Sequence, residues 1–247
     1  SRFVAAFIII KLLLKDKWTL HLKRTFRFNP DWSMIRKILS VGIPNGLENS
    51  MFQLGKVLVL SLVSTFGTYA IAANAVSNVI TLFSILPGQA ICLAVTTVIA
   101  RCVGAGDYEQ AKYYNKKLIL LTHIGMAITI FIVFITLPFI LKVYNLSEAA
   151  SEATRHIIWF HGFCAILIWA ESFTLPATFR ACGDAKACMI ISTVSMWIFR
   201  VGASYILGKN LGLGVFGVWV AMIIDWAFRS LLFGIRYFSG KWKKHAL

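Results

Sequence analysis

Long apolar runs broken by short polar stretches are the first thing the chain shows. Runs of mostly apolar residues cover roughly 38–65, 69–99, 118–141, 156–179, 187–207 and 214–238, and a shorter one covers roughly 3–14. Each of the six longer runs is near or above the ~20 residues that a helix needs to cross a bilayer. The short run fits the tail of a helix that starts upstream, so the chain, which opens on Ser1, is expected to be a fragment. The longest polar connection, 15–35, ends in the turn-forming stretch Asn29-Pro30-Asp31. An amphipathic lead-in of Trp32, Ile35, Ile38 and Leu39 follows. The expected organisation is the end of a helix at 1–14, a cytoplasmic loop joining two lobes at 15–35, a six-helix transmembrane lobe at 36–240 and a basic cytoplasmic tail at 241–247.

Composition agrees with lipid as the solvent. Hydrophobic residues make up 58% of the chain and charged residues 14%, with a mean hydropathy of +0.74. A soluble domain carries roughly 25% charged residues, because its core needs a polar skin. The net charge of +15 would suit nucleic acid if it formed a continuous basic stripe with stacking aromatics, but the basic residues cluster between the apolar runs. Those clusters alternate along the chain. Lys11, Lys15, Lys17, Lys23, Arg24, Arg27, Arg36 and Lys37 crowd the first connection, and 65–69 carries none. Arg101, Lys112, Lys116 and Lys117 follow, then Lys142 and Arg155 diluted by Glu148 and Glu152. Arg180 and Lys186, the single Lys209, and finally Arg236, Lys241, Lys243 and Lys244 complete the series. Positive-inside insertion places the rich side, with the C-terminus, in the cytoplasm. Trp18, Trp32 and Trp242 suit interfacial anchoring. The five cysteines form no C-x-x-C pair or zinc spacing and read as small buried hydrophobes.

The residues that lipid should exclude carry the functional signal. Asn45, Glu48, Asn49, Gln53 and Lys56 recur at intervals of three and four and form one helix face, with Leu47, Phe52, Leu54, Val57 and Leu58 read as the opposite face. Each charged centre costs at least about 2.5 kcal/mol at the bilayer midplane, so this stripe is expected to look into protein or water. Glu48 and Lys56, two turns apart, are candidates to neutralise each other. Asn74, Ser77, Asn78, Thr81 and Ser84 repeat the pattern more mildly, with helix packing as the competing explanation. Glu171, Thr174 and Thr178 share a face in the run at 156–179. Asp225 and Arg229, at i and i+4, read as an ion pair within one helix. Arg200 is a candidate counter-ion for Glu171 or Asp225, or a snorkelling residue. Pro44, Pro87 and Pro176 fall inside runs and are expected to kink their helices and free carbonyls beside the polar stripes. Bent helices of this kind line mid-membrane cavities in transporters.

Three blocks in order resemble the C-terminal half of the multidrug and toxic compound extrusion (MATE) transporters. They are Gly42-Ile-Pro-Asn-Gly-Leu-Glu-Asn-Ser-Met-Phe-Gln-Leu-Gly55, then Leu86-Pro-Gly-Gln continuing to Ala100-Arg-Cys-Val-Gly-Ala-Gly-Asp107, then Phe179-Arg-Ala-Cys-Gly-Asp-Ala-Lys186. The resemblance implies an all-α polytopic membrane protein, one six-helix transmembrane lobe of a two-lobe (6+6) transporter whose N-terminal lobe is missing here. It implies a secondary antiporter that exports small organic cations and other amphipathic drugs across the plasma membrane in exchange for Na⁺ or H⁺, with no other cofactor. Glu48 and Glu171 lie in the helices where family members often carry acids, each off the expected register. Phe52 is the nearest aromatic candidate to face a bound cation. The rivals are a flippase of a lipid-linked saccharide, which would show more cationic residues facing the cavity, and an accessory membrane subunit. No H-E-x-x-H, G-x-S-x-G or G-x-x-x-x-G-K-[ST] is present, and His156 and His161 do not share a face. No catalytic or metal-ligating set is therefore expected.

Overall fold

The computed structural model describes residues 2–14 and 31–242. The basic cluster from Lys15 to Arg27, Trp18, Asn29-Pro30 and the tail residues Lys243 and Lys244 lie outside the described residues. The chain divides into two units, Ser1–Lys37 and Ile38–Leu247. The first holds α1 (Arg2–Leu13) and the opening of α2 (Trp32–Ser64). The second holds the rest of α2 and then α3 (Thr68–Gly104), α4 (Tyr108–Tyr144), α5 (Glu148–Ala181), α6 (Ala185–Asn210) and α7 (Gly214–Phe238).

Three-residue turns join the helices from α2 onward, so each helix runs back antiparallel to the one before. Polar capping residues set the boundaries. Asp31 Oδ1 accepts from the backbone N–H of Ser33 (2.9 Å) and Met34 (3.1 Å) at the start of α2. Asp107 accepts from Gln110 N–H (2.8 Å) at the start of α4, and Ser147 does the same for Ala150 (3.4 Å) at α5. These side chains satisfy donors that a helix start leaves orphaned. The α4–α5 turn reverses through Asn145 in the left-handed region, φ 46°, a conformation asparagine tolerates better than most residues.

Among the described residues, five helices, α3 to α7, are long and apolar enough to cross a membrane. Six full crossings were expected from the hydrophobic runs. α2 has the length, at 33 residues, but Arg36, Lys37, Asn45, Glu48, Asn49, Gln53 and Lys56 dilute its apolar content below that of its neighbours. Large apolar side chains point outward on the crossing helices, among them Phe131, Phe139 and Leu167, as they must where the surroundings are acyl chains. Inside, Val59, Leu62 and Val63 at the end of α2 pack into a cluster with Met126, Ile130, Trp169, Trp219 and Trp226. A second cluster gathers Val95, Ile99, Phe179, Phe233 and Trp242. Trp242 is therefore not an interfacial anchor. It is 1% exposed, stacks on Tyr237 at 5.7 Å between ring centres and donates its Nε1–H to the Tyr237 carbonyl (3.1 Å).

The prolines sit inside helices as expected, Pro44 in α2 and Pro87 in α3, and Pro138 adds another in α4. Pro176 has a visible local consequence. Its ring conflicts with the carbonyl four residues back, and the five residues Ala170–Thr174 just before it widen into a π-helical turn. Ser172 in that turn donates to the Trp226 carbonyl of α7 (2.6 Å), which ties the irregular segment to its neighbour. α6 carries two more π-helical segments, Met196–Gly202 and Tyr205–Asn210. Ser204 donates back to the carbonyl of Arg200.

Candidate functional site

A cleft of about 880 Å³ opens between α2 and the helices facing it. α2 contributes Phe52 and Lys56, α3 contributes Asn78 and Gln89, and α6 contributes Arg200. Its aromatic walls come from Trp169 and Phe173 of α5 and from Trp219 and Trp226 of α7. A smaller lobe of about 200 Å³ shares Lys56, Asn78, Arg200 and Trp219 with it and adds Asn74. A third pocket of about 370 Å³ shares Phe52, Phe173 and Arg180 with the main cleft and adds Asn45, Glu48, Asn49 and Arg229. Phe52 lies at the junction of the main cleft and this third pocket.

The stripe on α2 is thus only partly assembled as expected. Asn45, Glu48, Asn49 and Lys56 line these spaces, and Asn78 faces Lys56 across the cleft. Gln53 is exposed and lines none of the three. Phe52, read from the sequence onto the apolar face, sits on the cleft instead. At 100° per residue it falls only one turn after Glu48, on the same side of the helix. Three cations surround its ring, Lys56 at 5.5 Å, Arg200 at 5.7 Å and Arg229 at 4.7 Å from the ring centre, within cation–π range.

Ion pairing differs from the sequence reading as well. Glu48 pairs with Arg180 of α5 rather than with Lys56. One Nη2 donates to both carboxylate oxygens, at 2.8 and 2.9 Å. This bridge ties α2 to α5 across 132 residues of sequence. Asp225 and Arg229 form the expected i,i+4 pair, Arg229 Nε donating to Oδ1 at 3.1 Å, with side chains 0% and 2% exposed. Ser195 of α6 donates to the same oxygen at 2.5 Å. Arg200 forms an ion pair with neither Glu171 nor Asp225, and its Nε is buried without a hydrogen-bond partner.

Glu171 and Thr174 do not face the cleft. Thr174 is fully buried, and its hydroxyl accepts from the Cys92 thiol (3.4 Å). Glu171, in the π-helical turn of α5, meets His123 of α4, Nε2 to Oε1 at 3.0 Å. His123 Nδ1 lies 2.6 Å from the Ile166 carbonyl, an acceptor only, so Nδ1 carries its hydrogen and donates there. The Nε2–Oε1 contact then holds a proton on one partner or the other. His123 looked isolated in the sequence. Its partner lies 48 residues away, on a helix whose π turn shifts the face that simple spacing would assign.

The comparisons with known proteins place this architecture. The family model described as MatE matches residues 44–206, about two thirds of the chain. The chain belongs to the MatE family. Among curated MatE relatives, a Thermotoga maritima protein named probable multidrug resistance protein NorM is 27% identical over 248 residues, covering 100% of this chain and 53% of that protein. The Bacillus subtilis protein named probable multidrug resistance protein YoeA is 25% identical over 98% of this chain and 52% of its own length. A solved outward-facing multidrug resistance MATE family transporter superposes with a TM-score of 0.86 at 18% identity, covering 98% of this chain and 55% of that one. A MATE crystal structure in a bent conformation gives 0.85 at 18% identity. The chain spans about half the length of the relatives it matches. Its fold is that of one MATE lobe, an all-α multi-pass membrane protein.

Proposed function

We propose that the chain is the C-terminal lobe of a secondary active exporter of amphipathic, drug-like compounds, working by alternating access in the plasma membrane with its C-terminus in the cytoplasm. On this reading the N-terminal lobe of the same protein closes the cleft, and residues 15–35 join the two. The observation that carries the reading is the cleft itself, about 880 Å³. It is walled by five Phe and Trp side chains and edged by a few amides and cations, the mix that small-molecule sites use for affinity and orientation.

Exchange needs a group whose charge changes during the cycle, and the Glu171–His123 pair supports a proton in that role. With one shared proton the pair is neutral overall, and without it the pair carries one negative charge. The pair lies on the opposite side of α5 from the cleft, since Trp169 and Phe173, two residues to either side of Glu171, line the cleft while Glu171 meets α4. Glu48, by contrast, is held by Arg180, an arrangement that fits a structural tie better than a proton carrier. Proton-driven uptake into inverted proteoliposomes tests this. Glu171→Gln and His123→Ala should each abolish substrate movement under a pH gradient while leaving substrate binding intact. Full transport by both variants would remove the pair from the coupling scheme, and a requirement for Na⁺ with no effect of the pH gradient would favour sodium exchange.

The flippase reading gains from one feature: the residues lining the main cleft include Lys56, Arg180 and Arg200 and no carboxylate. The same feature weakens the preference for organic cations that the family resemblance implies.

A further inference from the structure

The charge balance along the cleft is one-sided. Four cationic side chains reach it or the adjoining pocket, Lys56, Arg180, Arg200 and Arg229. Two of them have acidic partners, Arg180 with Glu48 and Arg229 with Asp225. Among the described residues, Lys56 and Arg200 form no ion pair, and both reach the same Phe52 ring. Arg200 projects from a π-helical segment whose backbone is held by Ser204, so its direction is set by the fold. Lys56 is exposed to the cleft and Arg200 is half-buried, and the Asp225 carboxylate is already taken by Arg229. Cations at membrane depth without an ion-pair partner are costly, so an anion that enters the cleft offsets that cost. Around them stand amide groups of Asn78 and Gln89 and the indoles of Trp169, Trp219 and Trp226.

We infer that Lys56 and Arg200 form an anion-binding subsite, and that the cleft takes amphipathic organic anions, an acidic head on a planar or acyl apolar body. The head, a carboxylate, sulfonate or phosphate, accepts charge-assisted hydrogen bonds from the lysine ammonium and the arginine guanidinium. The apolar body lies against the indole walls, whose faces accept any flat or hydrocarbon surface. This deepens the export reading by naming the charge of what is carried, and a lipid with an exposed phosphate head offers the same chemistry as a free organic acid.

The test compares two probes with one apolar body and opposite heads, naphthalene-2-sulfonate and 2-naphthyltrimethylammonium, binding to the purified full-length protein in detergent by calorimetry. The inference predicts at least tenfold tighter binding of the sulfonate. Lys56→Gln and Arg200→Gln should each weaken it about tenfold, Arg200→Lys should weaken it less, and Lys142→Gln, at the far end of α4, should leave it unchanged. Equal affinity for the two heads, or preference for the ammonium, overturns the inference while leaving an exporter reading intact. Failure to bind either probe counts against the cleft as a substrate site and so against both. Because the two probes are first compared on the unaltered protein, a variant that fails to fold does not shield the inference. Displacement of the sulfonate by lysophosphatidate but not by lysophosphatidylcholine supports the subsite and assigns it to a lipid head; displacement by neither supports it for free acids.

Discussion

Glu48→Gln is the most informative single substitution, because the geometry changes what it should do. A free carboxylate in a wet cleft would lose its charge with little effect on folding. Glu48 is not free: both of its oxygens accept from Arg180 Nη2, with its side chain 9% and that of Arg180 27% exposed. Removing one partner of a fully buried pair costs about 3–5 kcal/mol, since the other charge stays behind unpaired. Arg180 keeps some access to the cleft, which lowers the expectation to about 2 kcal/mol. Because α2 otherwise meets its neighbours chiefly near Val59, Leu62 and Val63, the loss should be felt as loosening of the N-terminal half of α2. The assay is a double-mutant cycle on the purified protein, with unfolding in SDS followed by tryptophan fluorescence. Glu48→Gln and Arg180→Gln should each destabilise by about 2 kcal/mol, roughly thirtyfold in the folded-to-unfolded ratio. The double variant should be no worse than either single one, giving a coupling energy of about 2 kcal/mol. Additive losses, or a Glu48→Gln variant as stable as the parent, would refute the structural-tie reading and return Glu48 to the list of titrating groups.

Four further outcomes follow from the packing and from the loop charges. A Cβ at Gly217 would lie 2.8 Å from the carbonyl carbon and oxygen of Leu207, so Gly217→Ala should force α6 and α7 apart and destabilise by about 1–3 kcal/mol. Gly234→Ala, which meets nothing within 4 Å, should be near neutral in the same unfolding assay. Burial, with Asp184 adding to it, pushes the Cys182 thiol up to about 12, so at pH 8 it stays protonated. It should resist maleimide until the protein is denatured, and rapid labelling in the native state would contradict the burial. Cysteines placed at Thr68 and Lys112 should label from opposite faces of the membrane; labelling from the same face would overturn the orientation drawn from the basic loops.

Much of this was legible in the residues themselves, for identifiable reasons. The apolar runs marked the helices, and the breaks between them fall at the turns that the structure shows. Asp225 and Arg229 were readable as a pair because four residues is a fixed distance on a helix. The partners of Glu48 and Glu171 were not readable, since tertiary packing brings them from 132 and 48 residues away. The apolar character of Phe52 points to the lipid face, but its angular position, only four residues from Glu48, puts it on the cleft. Across Ala170–Thr174 and Met196–Gly202, π-helical turns insert extra residues. Regular spacing therefore assigned Glu171 and Thr174 to the cleft, which they do not line, while Arg200, a candidate counter-ion or snorkelling residue by sequence, turns into it. Irregular turns of this kind concentrate where function needs a side chain re-aimed, and here they hold the two charged groups to which distinct roles are assigned.

The account rests on polar side chains of α2 and α3 facing a wetted cleft and not the acyl chains. The direct measurement is cysteine accessibility in a cysteine-free background of the full-length protein, using a membrane-impermeant maleimide on permeabilised cells. Asn78→Cys, on the cleft wall, should label readily and be protected by a bound amphipathic compound. Phe131→Cys, on the outward face of α4 where Phe131 is 64% exposed, should remain unlabelled in lipid. Labelling at 131 with none at 78 would turn the lobe inside out and contradict the account.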